Sequence, residues 1–95
     1  MATTVGLLHL SLDLPQAMSL KDKRRSVKSF KTRMANGFNV SVAEVASQDD
    51  RRRAVLAVAT VGADRRYLEG LLQRIVNAAA GHRDMILIDH EIEWL

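Results

Sequence analysis

Leucine recurs at every second residue from Leu8 to Leu14, and Gly6 extends the series towards the N-terminus. Only an extended chain puts such residues on one side, so Thr4 to Leu14 is predicted to be a strand with one wholly apolar face. That face requires a cover, and helices are the expected one. The opposite face, Val5, Leu7, His9, Ser11 and Asp13, begins apolar and ends polar. Pro15 stops the strand, and Pro15 to Met18 forms a short connection.

Ser19-Leu20-Lys21-Asp22 is a helix start. The hydroxyl is placed to accept from a free backbone N–H, and the carboxylate sits at the positive end of the helix. The helix is predicted from Leu20 to about Asn36, with Gly37 as a left-handed terminator. At about 100° per residue, Leu20, Val27, Phe30 and Met34 share one arc, and Lys21, Arg24, Arg25, Lys28 and Lys31 share another. Lys23 projects near the apolar arc, where its charge is expected to snorkel out to solvent.

The rest of the chain alternates in the same way. Asn39 to Ala46 is short and β-branched, a strand signal, and Ser47 to Asp50 is turn chemistry. Arg53 to Val61 is almost continuously apolar, as a central strand should be. Asp64 caps a second helix, in which Leu68, Leu71, Leu72, Ile75, Val76 and Ala79 make one buried stripe. Gly81 closes it. Met85 to Trp94 is the last strand, with Ile86, Ile88, His90, Ile92 and Trp94 alternating against Met85, Leu87, Asp89, Glu91 and Glu93. The order β-α-β-β-α-β over 1–95 predicts a single α+β domain. Its expected form is a ferredoxin-like sandwich, a four-stranded antiparallel sheet with both helices on one face. The two most apolar strands, first and third, belong at its centre.

Four stretches resemble the YlxP-like family, small bacterial proteins carried as a domain of unknown function. They are Met18 to Arg25, which is similar to a Ser-Leu-Lys-x-Lys-Arg signature, Phe38 to Val45, Ala54 to Val58, and Ile88 to Glu93. The resemblance covers essentially the whole chain. It implies the same ferredoxin-like fold, a cytoplasmic bacterial protein and no established activity. Genes of the family tend to sit among translation and ribosome-maturation genes, which points towards RNA. At the turn from Ser47 to Arg52, where members commonly carry an aromatic such as Trp, this chain has arginines.

Charge supplies the sharpest functional signal. Lys21, Lys23, Arg24, Arg25, Lys28, Lys31 and Arg33 are seven of fourteen basic residues and include every lysine, against one acid, Asp22. A solubilising face mixes both signs at i,i+4 spacing; this one does not. Ser26 and Ser29 interleave as small donors. The expected role is contact with a phosphate backbone by Lys21, Arg24, Arg25, Lys28 and Lys31, with Lys23 and Arg33 at the edges. Arg51, Arg52 and Arg53 read first as a turn balancing Asp49 and Asp50, and secondarily as a second phosphate clamp. Arg65 and Arg66 oppose the dipole of the second helix, which weakly favours an outside anion there.

Other chemistries find little support. The aromatics Phe30, Phe38, Tyr67 and Trp94 lie outside the central strands, so base stacking in the RNA-recognition-motif mode is not expected. His9 and His90 are assigned to opposite faces, so no shared metal is expected. Asp89, Glu91 and Glu93 read as solubilising charge on an edge strand. Nucleotide-binding and hydrolase motifs are missing, and the turn from Asp13 to Met18 lacks the Gly-rich phosphate loop of the acylphosphatases that share this topology. With no cysteine, thiol chemistry is excluded. Neither a signal peptide nor a run of the ~18 apolar residues needed to cross a bilayer is recognisable.

The expectation is therefore a non-enzymatic, cofactor-free cytoplasmic protein that is RNA-binding and ribosome-associated. Val5, Leu7, Met85 and Leu87, with Val55, Ala57, Ala59 and Val61, are expected on the uncovered sheet face, which would pair in a homodimer. An interaction module docking an acidic protein is the alternative, and a small-molecule regulatory domain comes third.

Overall fold

A computed structural model describes residues 1–95. The order is β1 (Thr4–Asp13), α1 (Leu20–Gly37), β2 (Ser41–Ala46), β3 (Arg53–Gly62), α2 (Arg65–Ala80) and β4 (Ile86–Trp94). The strands form one sheet in the order β2-β3-β1-β4, antiparallel throughout, with β1 and β3 central. Both helices cover the same face. Leu8, Leu10 and Leu12 of β1 and Ala54, Leu56 and Val58 of β3 join Val27, Phe30 and Met34 of α1 and Leu72, Ile75 and Val76 of α2 in one core. This is the ferredoxin-like sandwich that the periodicities predict.

Capping follows the sequence closely at both helix starts. Ser19 Oγ accepts from Asp22 N–H at 3.1 Å, and Asp22 Oδ2 accepts from Met18 N–H at 3.0 Å. Asp64 Oδ1 accepts from Arg66 and Tyr67 N–H at 3.0 and 3.3 Å. Gly81 closes α2 as expected, but the end of α1 differs from expectation. No glycine has a positive φ, and Gly37 stays helical. Phe38, in extended backbone, ends α1 by donating to Met34 O at 2.9 Å. Next, Thr60 Oγ1 donates to Asn39 O at 2.9 Å, so that carbonyl is taken by a side chain and β2 begins at Ser41 instead of Asn39.

The last strand corrects a face assignment. Ser11 pairs with Asp89 but Leu12 pairs with Leu87, so Ile88 is a bulge residue that inverts the alternation before it. Leu87 therefore packs against the core, and Met85 is buried in it, where both had been expected on the uncovered face. A second bulge at Val45 lies between the pairs Glu44–Leu56 and Ala46–Val55. Beyond these bulges the uncovered face carries three full rungs, Ser41, Ala59, Leu7 and Glu93; Ala43, Ala57, His9 and Glu91; Ala46, Val55, Ser11 and Asp89, with Val5 and the exposed Val61 at one end and Arg53, Asp13 and the exposed Ile86 at the other.

At the other end of the sheet, Gly6 pairs with Trp94 on the covered side. A Cβ on Gly6 would lie 2.7 Å from Trp94 Cζ3 and 3.0 Å from Leu72 Cδ1. The indole occupies the space of the missing side chain. Gly6→Ala should displace Trp94 and cost about 1–3 kcal/mol. Urea unfolding followed by the fluorescence of this sole tryptophan reads both the lower midpoint and the altered ring environment.

Candidate nucleic-acid interface

The buried side of α1 is made by Lys23, Val27, Phe30 and Met34. Three of these are apolar and match the predicted arc. Lys23 is the exception, and its side chain is completely buried. Its Nζ donates to the carbonyls of Ser47 at 2.6 Å, Asp50 at 2.8 Å and Gln48 at 3.3 Å. An ammonium has three protons, so these acceptors saturate it. Glu44 Oε2 lies 2.8 Å away and supplies the counter-charge. The turn that offers the carbonyls bends through Ser47, the one non-glycine residue with positive φ, at 62°. Lys23 is thus removed from the phosphate-contacting set. It had been expected to snorkel; it finds its oxygens inside the fold.

The other six cations remain outside. Lys21, Arg24, Arg25, Lys28 and Arg33 are exposed and Lys31 is half-buried. None of the six is ion-paired. Lys21, Arg24, Arg25, Lys28 and Lys31 occupy one continuous arc at about 100° per residue. Arg24, Lys28 and Lys31 line a shallow hollow of about 340 Å³ with Glu44, whose charge Lys23 already neutralises. Arg33 falls on the opposite flank, in a hollow of about 370 Å³ with Ser29, His82 and Arg83. Arg25 shares a third hollow, about 310 Å³, with Ser26 and the same Arg83, beside Asp22 and Asp84.

The fold adds cations that the sequence reading left apart. By holding the β2–β3 turn against α1, Lys23 places Arg51 and Arg52, with Asp49 and Asp50, beside Ser19 and Leu20 in a cleft of about 930 Å³. Two acids face two arginines in this cleft, so the unbalanced basic surface is that of α1, whose 18 residues span about 27 Å. Arg53 is not part of it, because its Nε approaches Asp13 Oδ1 at 3.8 Å. Asp50 Oδ1 accepts from Arg52 N–H at 2.9 Å, so that acid supports the turn. Arg83 had no signal in sequence; only the packing of the α2–β4 connection beside α1 brings it there.

The remaining candidates are placed as follows. Arg65 already has partners, Glu69 Oε1 at 3.2 Å and the Trp94 ring at 4.8 Å, so no outside anion is needed to offset its position. His9 pairs with Glu91 on the uncovered face and His90 with Leu10 on the covered one, separated by the sheet. Phe30 is core, Trp94 lies over Gly6, and no aromatic stands in the uncovered rungs. No helix is long and apolar enough to cross a membrane.

Comparison with known proteins agrees with the fold. The chain matches a solved structure, "De novo designed protein Foldit4", with a TM-score of 0.56 and 15% identity, over 98% of this chain and 96% of that one. At that identity the likeness concerns the fold alone. It is 36% identical over 72 residues to "Uncharacterized protein YlxP" of Bacillus subtilis (strain 168), covering 76% of this chain and 78% of that protein. Residues 5–92 match the family model described as "Protein of unknown function (DUF503)". The chain belongs to this YlxP-like family of small bacterial proteins, whose family model it matches over residues 5–92.

Proposed function

We propose that this protein is a non-enzymatic binder of structured RNA, contacting backbone phosphates through Lys21, Arg24, Arg25, Lys28 and Lys31. The observation that carries the reading is that these five cations share one arc of α1 and none is ion-paired within the molecule. Cations held together without internal counterions bind polyanions by releasing condensed ions from them. The lack of aromatics on the open rungs favours recognition of backbone and shape over splayed bases. Ribosomal RNA in an assembling subunit is the target this reading favours, on the gene neighbourhood of the family, and it requires a cytoplasmic protein.

Binding of a helical ribosomal RNA fragment, titrated from 50 to 200 mM salt, tests it. With about four phosphates neutralised, log K should fall against log salt with a slope of roughly −3 to −4, a loss on the order of a hundredfold across that range. Unstructured oligo(U) should bind no better than the helix. A slope near zero, or binding only to an acidic protein after nuclease treatment, would overturn the assignment.

A further inference from the structure

The uncovered sheet face is a second surface, remote from the basic arc. Its three rungs end on β4 in Glu93, Glu91 and Asp89, all exposed, while their β2 and β3 positions carry small residues, Ala43, Ala57 and Ala59 among them. A hollow of about 320 Å³, lined by Val5, Val40, Ala59 and Val61, lies at the β2–β3 end of this face. The face is thus apolar and shallow on one side and, along β4, acidic from Asp89 to Glu93 beyond the exposed Ile86 and Ile88.

We infer that this face docks a basic amphipathic helix of a partner protein. The small side chains allow a helix to approach the sheet closely, as helices cover sheets elsewhere. Acids at every second residue of a strand lie about 6.7 Å apart. Cations at i, i+4 and i+8 of a helix lie about 6 Å apart along its axis, so three pairs stay in step. The hollow takes one large apolar side chain from the same helix. A second copy does not fit as well. In a two-fold face-to-face pair, β4 would lie over its mate, acid against acid, or over β2, whose outward residues Ser41, Ala43 and Ala46 bring no cation. RNA is repelled by the same acids, so this surface is independent of the RNA reading.

The test uses the full chain and two synthetic 18-residue helical peptides with one leucine stripe, flanked in one by lysines at i, i+4 and i+8 and in the other by glutamates. The lysine peptide should bind at least tenfold more tightly in low salt and shift amide resonances of β1, β3 and β4. Asp89→Asn/Glu91→Gln/Glu93→Gln should abolish that preference, and the neutral obstruction Ala57→Gln should weaken binding, with both variants still binding RNA through α1 at least as tightly as the wild type. Equal binding of the two peptides, shifts confined to α1, or a sedimenting dimer that closes this face would each overturn the inference.

Discussion

Replacing Lys23 by methionine is expected to destabilise the protein by about 3 kcal/mol or more, a large share of the roughly 5–15 kcal/mol of a domain this size. Methionine keeps most of the apolar stem but removes the ammonium. The carbonyls of Ser47, Gln48 and Asp50 lose their donor, and the largely buried Glu44 loses its ion-pair partner. Each unsatisfied buried acceptor costs about 1–3 kcal/mol. The turn can recover part of this by opening to water, which is why the sum is not taken. The urea midpoint should fall at nearly constant slope, and Tm should drop by about 12 °C or more. Lys23→Arg should rescue poorly, because a planar fork cannot aim at converging carbonyls as a rotating ammonium can. Adding Glu44→Leu to Lys23→Met should restore part of the loss by deleting the orphaned charge. An unchanged midpoint for Lys23→Met would show that the turn does not depend on this contact.

The combined reversal Lys21→Glu/Arg24→Glu/Lys28→Glu/Lys31→Glu should have the opposite profile. RNA affinity at 50 mM salt should fall on the order of a hundredfold or more, and the salt slope should approach zero. Single reversals should each flatten the slope by about 1. Stability should fall only modestly: none of the four has an internal ion pair to lose, and the cost is repulsion of the new carboxylates by Glu44, whose hollow Arg24, Lys28 and Lys31 line. Folded Lys23→Met protein should keep the wild-type salt slope, because Lys23 is sealed from any ligand. The two kinds of variant therefore separate a cation that holds the fold from cations that face outward, although all lie within eleven residues of one helix. RNA affinity surviving the fourfold reversal would remove α1 from the interface.

Much of this was legible before the fold. The alternating leucines of β1, the apolar run of β3 and the stripe of α2 are local patterns, and local periodicity specifies which side of an element is buried. Ser19 and Asp64 start helices because the oxygens they offer lie within three residues of the N–H groups they satisfy. The β4 phase was not legible. Its composition supports either alternation, and the skipped residue Ile88 is decided by pairing with β1. The C-terminal end of α1 and the start of β2 escaped for a similar reason, since Thr60 reaches Asn39 from 21 residues away.

Lys23 shows where the boundary lies. Helical geometry alone placed it beside the apolar arc, and chemistry alone made outward escape the cheaper course for a lone cation. The oxygens that hold it inside come from 24, 25 and 27 residues further along the chain. By itself the sequence determined the six elements, their buried faces and a helix rich in cations. Only the tertiary structure decided which of those cations is consumed by the fold, which remain free, and that Arg51, Arg52 and Arg83 stand beside them. Partners for a charge are set by distance in space, and for a long-range contact that distance exists only once the sheet has paired and the helix has docked.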